Sequence, residues 1–257
     1  MREQTSAAKS TMKTDKYQKR FYRDWVLAKD LYQARVAVKE TDLQILADKP
    51  IDTDFVQKKI QAYRFAIEGY IFKDKRFLTS LKPITVELTA PLIVREMAET
   101  SRAANVGPMA AVAGAVAQFL GRDLLRFGYK EVIIENGGDI FLKIRKVRKV
   151  GIYAGKSKLW QGLSIKIKPQ DTPIGICTSS GSVGHSLSFG LADSVTILSK
   201  NASLADAVAT AVGNLVSTKK DLVQAIDFAK SVKGILAAAI ILKKDFTSWG
   251  KLEFVIS

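Results

Sequence analysis

Residues 203–217 read Ser-Leu-Ala-Asp-Ala-Val-Ala-Thr-Ala-Val-Gly-Asn-Leu-Val-Ser. They carry one charge, Asp206, in a chain that is 25% charged. The spacing predicts a helix beginning near Ser203. At about 100° per residue, Leu204, Val208, Ala211, Val212 and Leu215 share one side. Asp206, Thr210, Gly213 and Ser217 share the other. A solvent-facing side would carry Lys, Arg or Glu, and this one carries none, so both sides are expected to be covered.

Asp206 and Thr210 are four residues apart, which makes them neighbours at about 5–6 Å between Cβ atoms. A carboxylate and a hydroxyl so placed can hold a hard cation. Mg²⁺ takes one or two protein oxygens and completes its octahedron with water and substrate phosphate. The same residues also have a structural reading. Ser203-x-x-Asp206 resembles a capping box with Asp for Glu, and Asp suits the first turn of a helix. Thr210 can bond back to the carbonyl of Asp206.

Ahead of this helix, residues 175–186 form a Gly/Ser/Thr loop holding the only Cys, Cys177, and the only His, His185. A short strand over 194–198 separates loop from helix. Thr178, Ser179, Ser180, Gly181, Ser182 and Gly184 offer hydroxyls and backbone N–H groups that can cradle a phosphate. The loop is neither a Walker A loop nor a Gly-x-Ser-x-Gly elbow. His185 is the one imidazole able to move a proton near neutral pH, or else a structural donor. Cys177 reads as a small packed residue.

At 257 residues the chain forms one large domain or two small ones. One Cys excludes an intrachain disulfide, and with one His it excludes an ordinary structural zinc site. The early residues are charged and lack an apolar h-region, and the apolar run 235–242 is too short to span a bilayer. A cytoplasmic location without membrane contact is therefore expected. The net charge of +15 suits an anionic small molecule or nucleotide. It also admits a basic nucleic-acid binder, but no aromatics interleave with glycines as RNA-binding modules require. The clusters 9–23 and 143–149 read as solvated surface, the second as an edge strand guarded by charge.

In chain order, residues 35–47 predict a β-hairpin turning at 40–42. Asp52 or Thr53 caps a helix over 54–71, and 76–81 reads as a second short helix. Pro91 starts a helix to about 104, and Pro108 opens an Ala-rich buried helix over 109–125. A strand over 131–135 meets Asn136-Gly137-Gly138-Asp139, followed by a strand from 140 to about 150. Asn-Gly is a strong hairpin signal, and two glycines also let backbone approach a ligand. Two short strands flank Gly162. A helix over 221–230 precedes a closing hairpin of 235–242 with 252–256.

The order of Ala-rich helix, Gly-Gly turn, Thr-Ser-Gly loop with His, Ser-Val-Thr strand and Ala-Asp-x-x-x-Thr resembles the ApbE-like superfamily of FAD:protein FMN transferases. More closely, the chain resembles the UPF0280 branch. That likeness rests on Val38-Lys-Glu-Thr-Asp-Leu43, on the stretch from Val106-Gly-Pro-Met to Gly114-Ala115, on Glu135-Asn-Gly-Gly-Asp-Ile140 and on Gly184-His-Ser-Leu-Ser-Phe-Gly190. The branch likeness spans nearly the whole chain, and the transferase likeness about 106–215.

The resemblance implies an α+β fold, an ApbE-like mixed sandwich with largely antiparallel sheets and a buried Ala-rich helix. It implies residues 1–16 as a flexible basic N-terminus and 17–257 as a single domain. It implies Mg²⁺ at Asp206 and Thr210, with a backbone carbonyl near Val112. It further implies FAD or FMN at Asn136, Gly137, Gly138, Asp139, Thr178, Ser179, Ser180 and Gly181, with His185 as the catalytic candidate. The transferases carry Lys where this chain has Ala113, and Asp-Pro-x-Thr-Gly where it has Ser186-Leu-Ser-Phe-Gly190. The expected activity is thus Mg²⁺-dependent binding or turnover of a phosphorylated ligand, not standard FMN transfer. The branch also implies an accessory role, with a protein partner, in anaerobic sulfur assimilation and homocysteine formation.

Overall fold

A computed structural model of the chain describes residues 28–152, 158–160, 162–180 and 190–256. Strands β1 (Tyr32–Val38), β2 (Thr41–Ala47), β3 (Val132–Asn136), β4 (Asp139–Lys143), β7 (Ile174–Ser179), β8 (Ser194–Ser199), β9 (Ile235–Leu242) and β10 (Asp245–Gly250) lie in that order across one sheet. A second sheet takes β11 (Phe254–Ile256), β6 (Leu163–Ile167) and β5 (Arg148–Gly151). Every strand pairing among the described residues is antiparallel.

The period of two along the strands sorts the core into two layers. Leu43, Ile45, Ile134, Phe141, Cys177, Ile197 and Ile240 face one way. They pack with helices α1 (Thr53–Lys73), α3 (Leu92–Ala103), α4 (Val112–Arg126), α5 (Ala202–Leu215) and α6 (Asp221–Ser231). Leu46, Ile133, Leu142, Ile176 and Ile241 face the other way and pack on Val150, Ile165 and Ile167 of the small sheet. The result is three layers: helices, large sheet, small sheet. The expected α+β sandwich is the observed one.

Several helix ends follow their capping chemistry. Asp52 Oδ1 accepts from the N–H of Phe55 at 2.9 Å and starts α1. The short helix α2 (Arg76–Thr79) ends before the stretch that leads to Pro83. Pro108 opens a 3-10 turn (Pro108–Ala111) that leads directly into α4. No single helix among the described residues is long and apolar enough to cross a membrane.

Four expectations need correction. The 40–42 turn is tighter than expected, since Val38 pairs with Thr41 and leaves only Lys39 and Glu40 outside the ladder. The single strand expected over 140–150 is two strands in different sheets, β4 and β5. Among the described residues near Gly162, only β6 is a strand. The closing hairpin pairs β9 with β10, and residues 254–256 instead extend the small sheet beside β6.

The basic run after β4 is also more than solvated surface. Arg148 is buried, with its guanidinium 2.6 Å from Glu131 Oε1 and 2.5 Å from Asp30 Oδ1. This cluster ties β5 to the start of β3, and it holds Asp30 well below the usual carboxylate range. Removing one member of a buried pair strands the other charge, at about 3–5 kcal/mol. Arg148→Ala is expected to lose that amount in urea unfolding, while Lys149→Ala, on the exposed neighbour, stays within about 0.5 kcal/mol of the parent chain.

Candidate functional site

The charge-poor helix is α5, and its residues from Ala202 to Gly213 are all buried. Both faces are covered, as its composition requires. It starts one residue earlier than expected, with Asn201 as N-cap; the Asn201 side chain accepts from Leu204 N–H at 3.0 Å. The capping-box reading of Asp206 is therefore overturned. Ser203 Oγ instead shares a hydrogen bond with Thr100 Oγ1 at 2.9 Å.

Asp206 caps a different helix. No side chain of its own segment caps α4. Asp206 Oδ2 accepts from Gly114 N–H at 2.9 Å, and the N–H of Ala113 also bonds to the carboxylate. A carboxylate at a helix N-terminus satisfies orphan donors and the helix dipole together. Thr210, one turn along α5, is buried as well. Asp206 thus lies beside the first turn of the Ala-rich helix, with Thr210 one turn further along α5.

The Gly-Gly turn reaches the same place. Asn136 pairs with Asp139, and Gly137 and Gly138 have φ of 68° and 107°. The turn demands glycines, because an L side chain is strained at those angles. Glu135 Oε1 accepts from Gly138 N–H at 2.9 Å. Asn136 Nδ2 donates to the carbonyl of Ala113 at 3.1 Å, which ties the turn to α4. That bond gives Asn136 a structural task within its expected ligand set.

Asp139 stands opposite Cys177 in the β4–β7 ladder. The register brings the end of β7, Thr178 and Ser179, beside the Gly137–Gly138 turn. Thr178 Oγ1 shares a hydrogen bond with Thr196 Oγ1 at 3.1 Å. Ser180 follows the strand and is partly exposed. Gly181 and His185 lie outside the described residues. Asn136, Gly137, Gly138, Asp139, Thr178 and Asp206 therefore gather where α4, α5, the turn and β7 meet.

Asp139 was expected only among ligand-cradling residues, yet it sits in a shared electrostatic site with Asp206. Burial raises Asp139 well above the usual carboxylate range, and the Asp206 charge raises it further. Burial raises Asp206 to about 7 against the pull of the Gly114 and Ala113 N–H groups. Cys177 is fully buried and pushed well up by burial, then by Asp139 and Asp206. Its single proton points to the Ala202 carbonyl at 3.2 Å, with Asp139 as the alternative acceptor. Cys177 is thus a packed thiol, as the sequence indicated.

No Lys or Arg pairs with Asp139 or Asp206 among the described residues. No group of three His, Cys, Asp or Glu side chains there could hold a metal ion. Two buried carboxylates and the Thr210 hydroxyl are nonetheless hard oxygen donors of the kind Mg²⁺ accepts. One neighbouring network escaped the sequence reading. Gln118 Oε1 accepts from Ala202 N–H at 2.8 Å, and its amide donates to Glu96, which also receives Asn201. Gln118 was visible as the one polar side chain inside the apolar stretch of α4.

The family model described as AbpE bacteria matches residues 23–245. A UPF0280 protein of Methanococcus maripaludis (strain C7 / ATCC BAA-1331) is 46% identical over 185 residues, 71% of this chain and 75% of its own length. The chain belongs to the UPF0280 family. A UPF0280 protein of Methanosarcina acetivorans is 39% identical over 216 residues, 84% of this chain and 85% of its own. Among solved structures, this UPF0280 chain is similar to the flavin transferase ApbE from Vibrio cholerae. The TM-score is 0.57 at 14% identity, over 85% of this chain and 97% of that one. The apo flavinyl transferase ApbE from Pseudomonas stutzeri gives 0.56 at 12% identity, over 85% and 94%. At these identities the likeness shows the fold. It covers more of the chain than the 106–215 stretch on which the sequence resemblance to the transferases rests.

Proposed function

We propose that the chain binds a phosphorylated ligand of the flavin-nucleotide class, with a divalent cation between Asp206, Thr210 and the phosphates. One observation carries the reading. Two carboxylates, Asp206 and Asp139, are buried together, and among the described residues no cationic side chain pairs with either. Buried charge is costly unless paired, and functional sites are where burial and neighbouring like charge are put to use.

A bound Mg²⁺ would neutralise these carboxylates and hold phosphate oxygens in its remaining positions. The chain's own groups do the rest. Among the described residues, the Gly137–Gly138 turn leaves open space at Gly137 for close approach. Thr178, Ser179 and Ser180 offer hydroxyls at the neighbouring strand end. His185 is proposed to position the ligand or move a proton. The fold shared with flavin transferases supports a flavin nucleotide as ligand, and Ala113 in place of the transferases' Lys supports binding or a different transfer.

The test is thermal unfolding with FAD, FMN, ATP and ADP, each with and without Mg²⁺. A ligand at about 100 times its Kd stabilises by about 2.7 kcal/mol. The expected shift needs both Mg²⁺ and a flavin nucleotide. A shift with ATP or ADP alone among the nucleotides would replace the flavin assignment, and no shift with any pair would end the reading.

A further inference from the structure

Helix α1 has two apolar seams. Val56, Ile60, Tyr63, Ile67 and Tyr70 form the buried one. Ala62, Phe65, Gly69 and Phe72 form the other, at the same three-four spacing, and all four are exposed. Phe65 is 82% exposed and Phe72 is 81% exposed. The four seam positions carry no charge, and Glu68 beside them is held by Lys39 and Arg64. Large exposed aromatics in register on a helix are uncommon on a face that stays in water.

Gly69 is the second observation. It lies inside a regular helix, where glycine costs stability relative to alanine. Nothing lies within 4 Å of the Cβ it lacks. No contact among the described residues therefore calls for a glycine there. A glycine on an exposed helix face earns its place when another backbone or a large side chain comes close from outside.

The order of sizes identifies what comes. The seam reads small, large, small, large: Ala62, Phe65, Gly69, Phe72. Reversed, it reads large, small, large, small. Two copies laid antiparallel about a two-fold axis near residue 67 set Phe65 against Gly69 and Phe72 against Ala62, twice each. Each ring meets a gap, as an isologous interface requires. A parallel pairing sets Phe on Phe and Gly on Gly. We infer that the exposed face of α1 is a homodimer interface in which Phe65 and Phe72 of one copy fill the gaps at Gly69 and Ala62 of the other.

The area fits a weak dimer that dilution dissociates. A buried aromatic covers about 150–250 Å², so the four phenylalanines supply on the order of 600 Å². A stable interface buries ~1,200–2,000 Å² in total. Gln61, Ala62 and the stems of Lys58 and Lys73 flank the rings and add to it.

Sedimentation of the full chain over a roughly hundredfold dilution series reads the dimer directly. The parent chain is expected to dimerise. Gly69→Phe sets ring on ring and should weaken dimerisation roughly hundredfold. Phe65→Gly empties the same contact and should act alike. The double variant Phe65→Gly/Gly69→Phe reverses the pair, keeps one glycine and one phenylalanine in the helix, and should dimerise again. Gly69→Ala should weaken the dimer while raising the melting temperature of the dilute monomer, a pair of opposite signs that a purely internal role does not give. Far-UV circular dichroism establishes that each variant is folded. A monomeric parent chain, a dimer indifferent to Gly69→Phe, or a double variant that stays monomeric would each overturn the assignment.

Discussion

Asp206→Asn is expected to keep the fold and lose the response to Mg²⁺ and nucleotide. The asparagine carbonyl oxygen still accepts from Gly114 N–H, so α4 keeps a partner at its N-terminus. The charge that would bind a cation is gone. Where the parent chain gains about 2.7 kcal/mol from ligand at 100 times its Kd, the variant should gain none.

The ligand-free variant carries a second signature. Burial raises the Asp206 pKa from the ordinary 3.8 to about 7, and Asp139 also lies above its ordinary value. Between those limits the folded chain holds more protons than the unfolded chain. Stability from these groups is complete below about 4 and is lost as pH rises through about 7. Asp206→Asn removes one titration and relieves the other, because the Asp206 charge is the second cause of the Asp139 shift. The variant should therefore be at least as stable as the parent at pH ~8, with a shallower decline from pH ~5. If Asp206 served only to cap α4, the variant would be less stable at both pH values. Urea titrations at the two pH values, with and without Mg²⁺, separate these outcomes.

The composition of α5 was informative because its surroundings are so basic. A stretch with one charge in a chain of net charge +15 has to be covered, and the structure covers it. The Gly-Gly turn was equally legible, since positive φ at two successive residues leaves little choice but glycine. The partnership of Asp139 with Asp206 was hidden. It depends on the β4–β7 register and on α5 crossing that ladder, and local periodicity reports neither.

Both misread hairpins share a cause. Their two-residue turns are Lys39-Glu40 and Lys243-Lys244, with Lys39 at φ 52° and Lys243 at φ 57°. Lysine is an uncommon residue at positive φ, so turn chemistry gave no signal. At the second hairpin, the edge strand β10 is half exposed and ends at Gly250, which made it read as loop. Arg148 was lost inside a basic run for a related reason. Its partners Glu131 and Asp30 are far away in sequence, and the buried pair exists only once β5 leaves the large sheet.

Gly114→Ala should be among the most damaging single-methyl additions in the chain. An added Cβ would lie 2.3 Å from the carbonyl oxygen of Ala202 and 2.8 Å from Asp206 Cβ. The obstacle is chiefly backbone, in the first turn of α5, so no rotamer change can relieve it. That turn cannot retreat, because Gly175 approaches Ala202 from the other side, with its own absent Cβ 2.3 Å from Ala202 Cα. Ala202 thus sits in a notch cut by two glycines, one on α4 and one on β7. Overpacking of a closed core costs about 1–3 kcal/mol, and more where nothing yields. A loss of about 3 kcal/mol or more is expected in urea unfolding. Gly121→Ala offers the comparison on the same helix. Its added Cβ meets the ring of Phe141 at 2.1 Å, and a side chain can give where a backbone cannot. Gly121→Ala should therefore cost less than Gly114→Ala. The reverse order would mean that α4 and α5 are less tightly apposed than the Gly114–Asp206 bond requires, and the site between them would lose the close approach on which its reading rests.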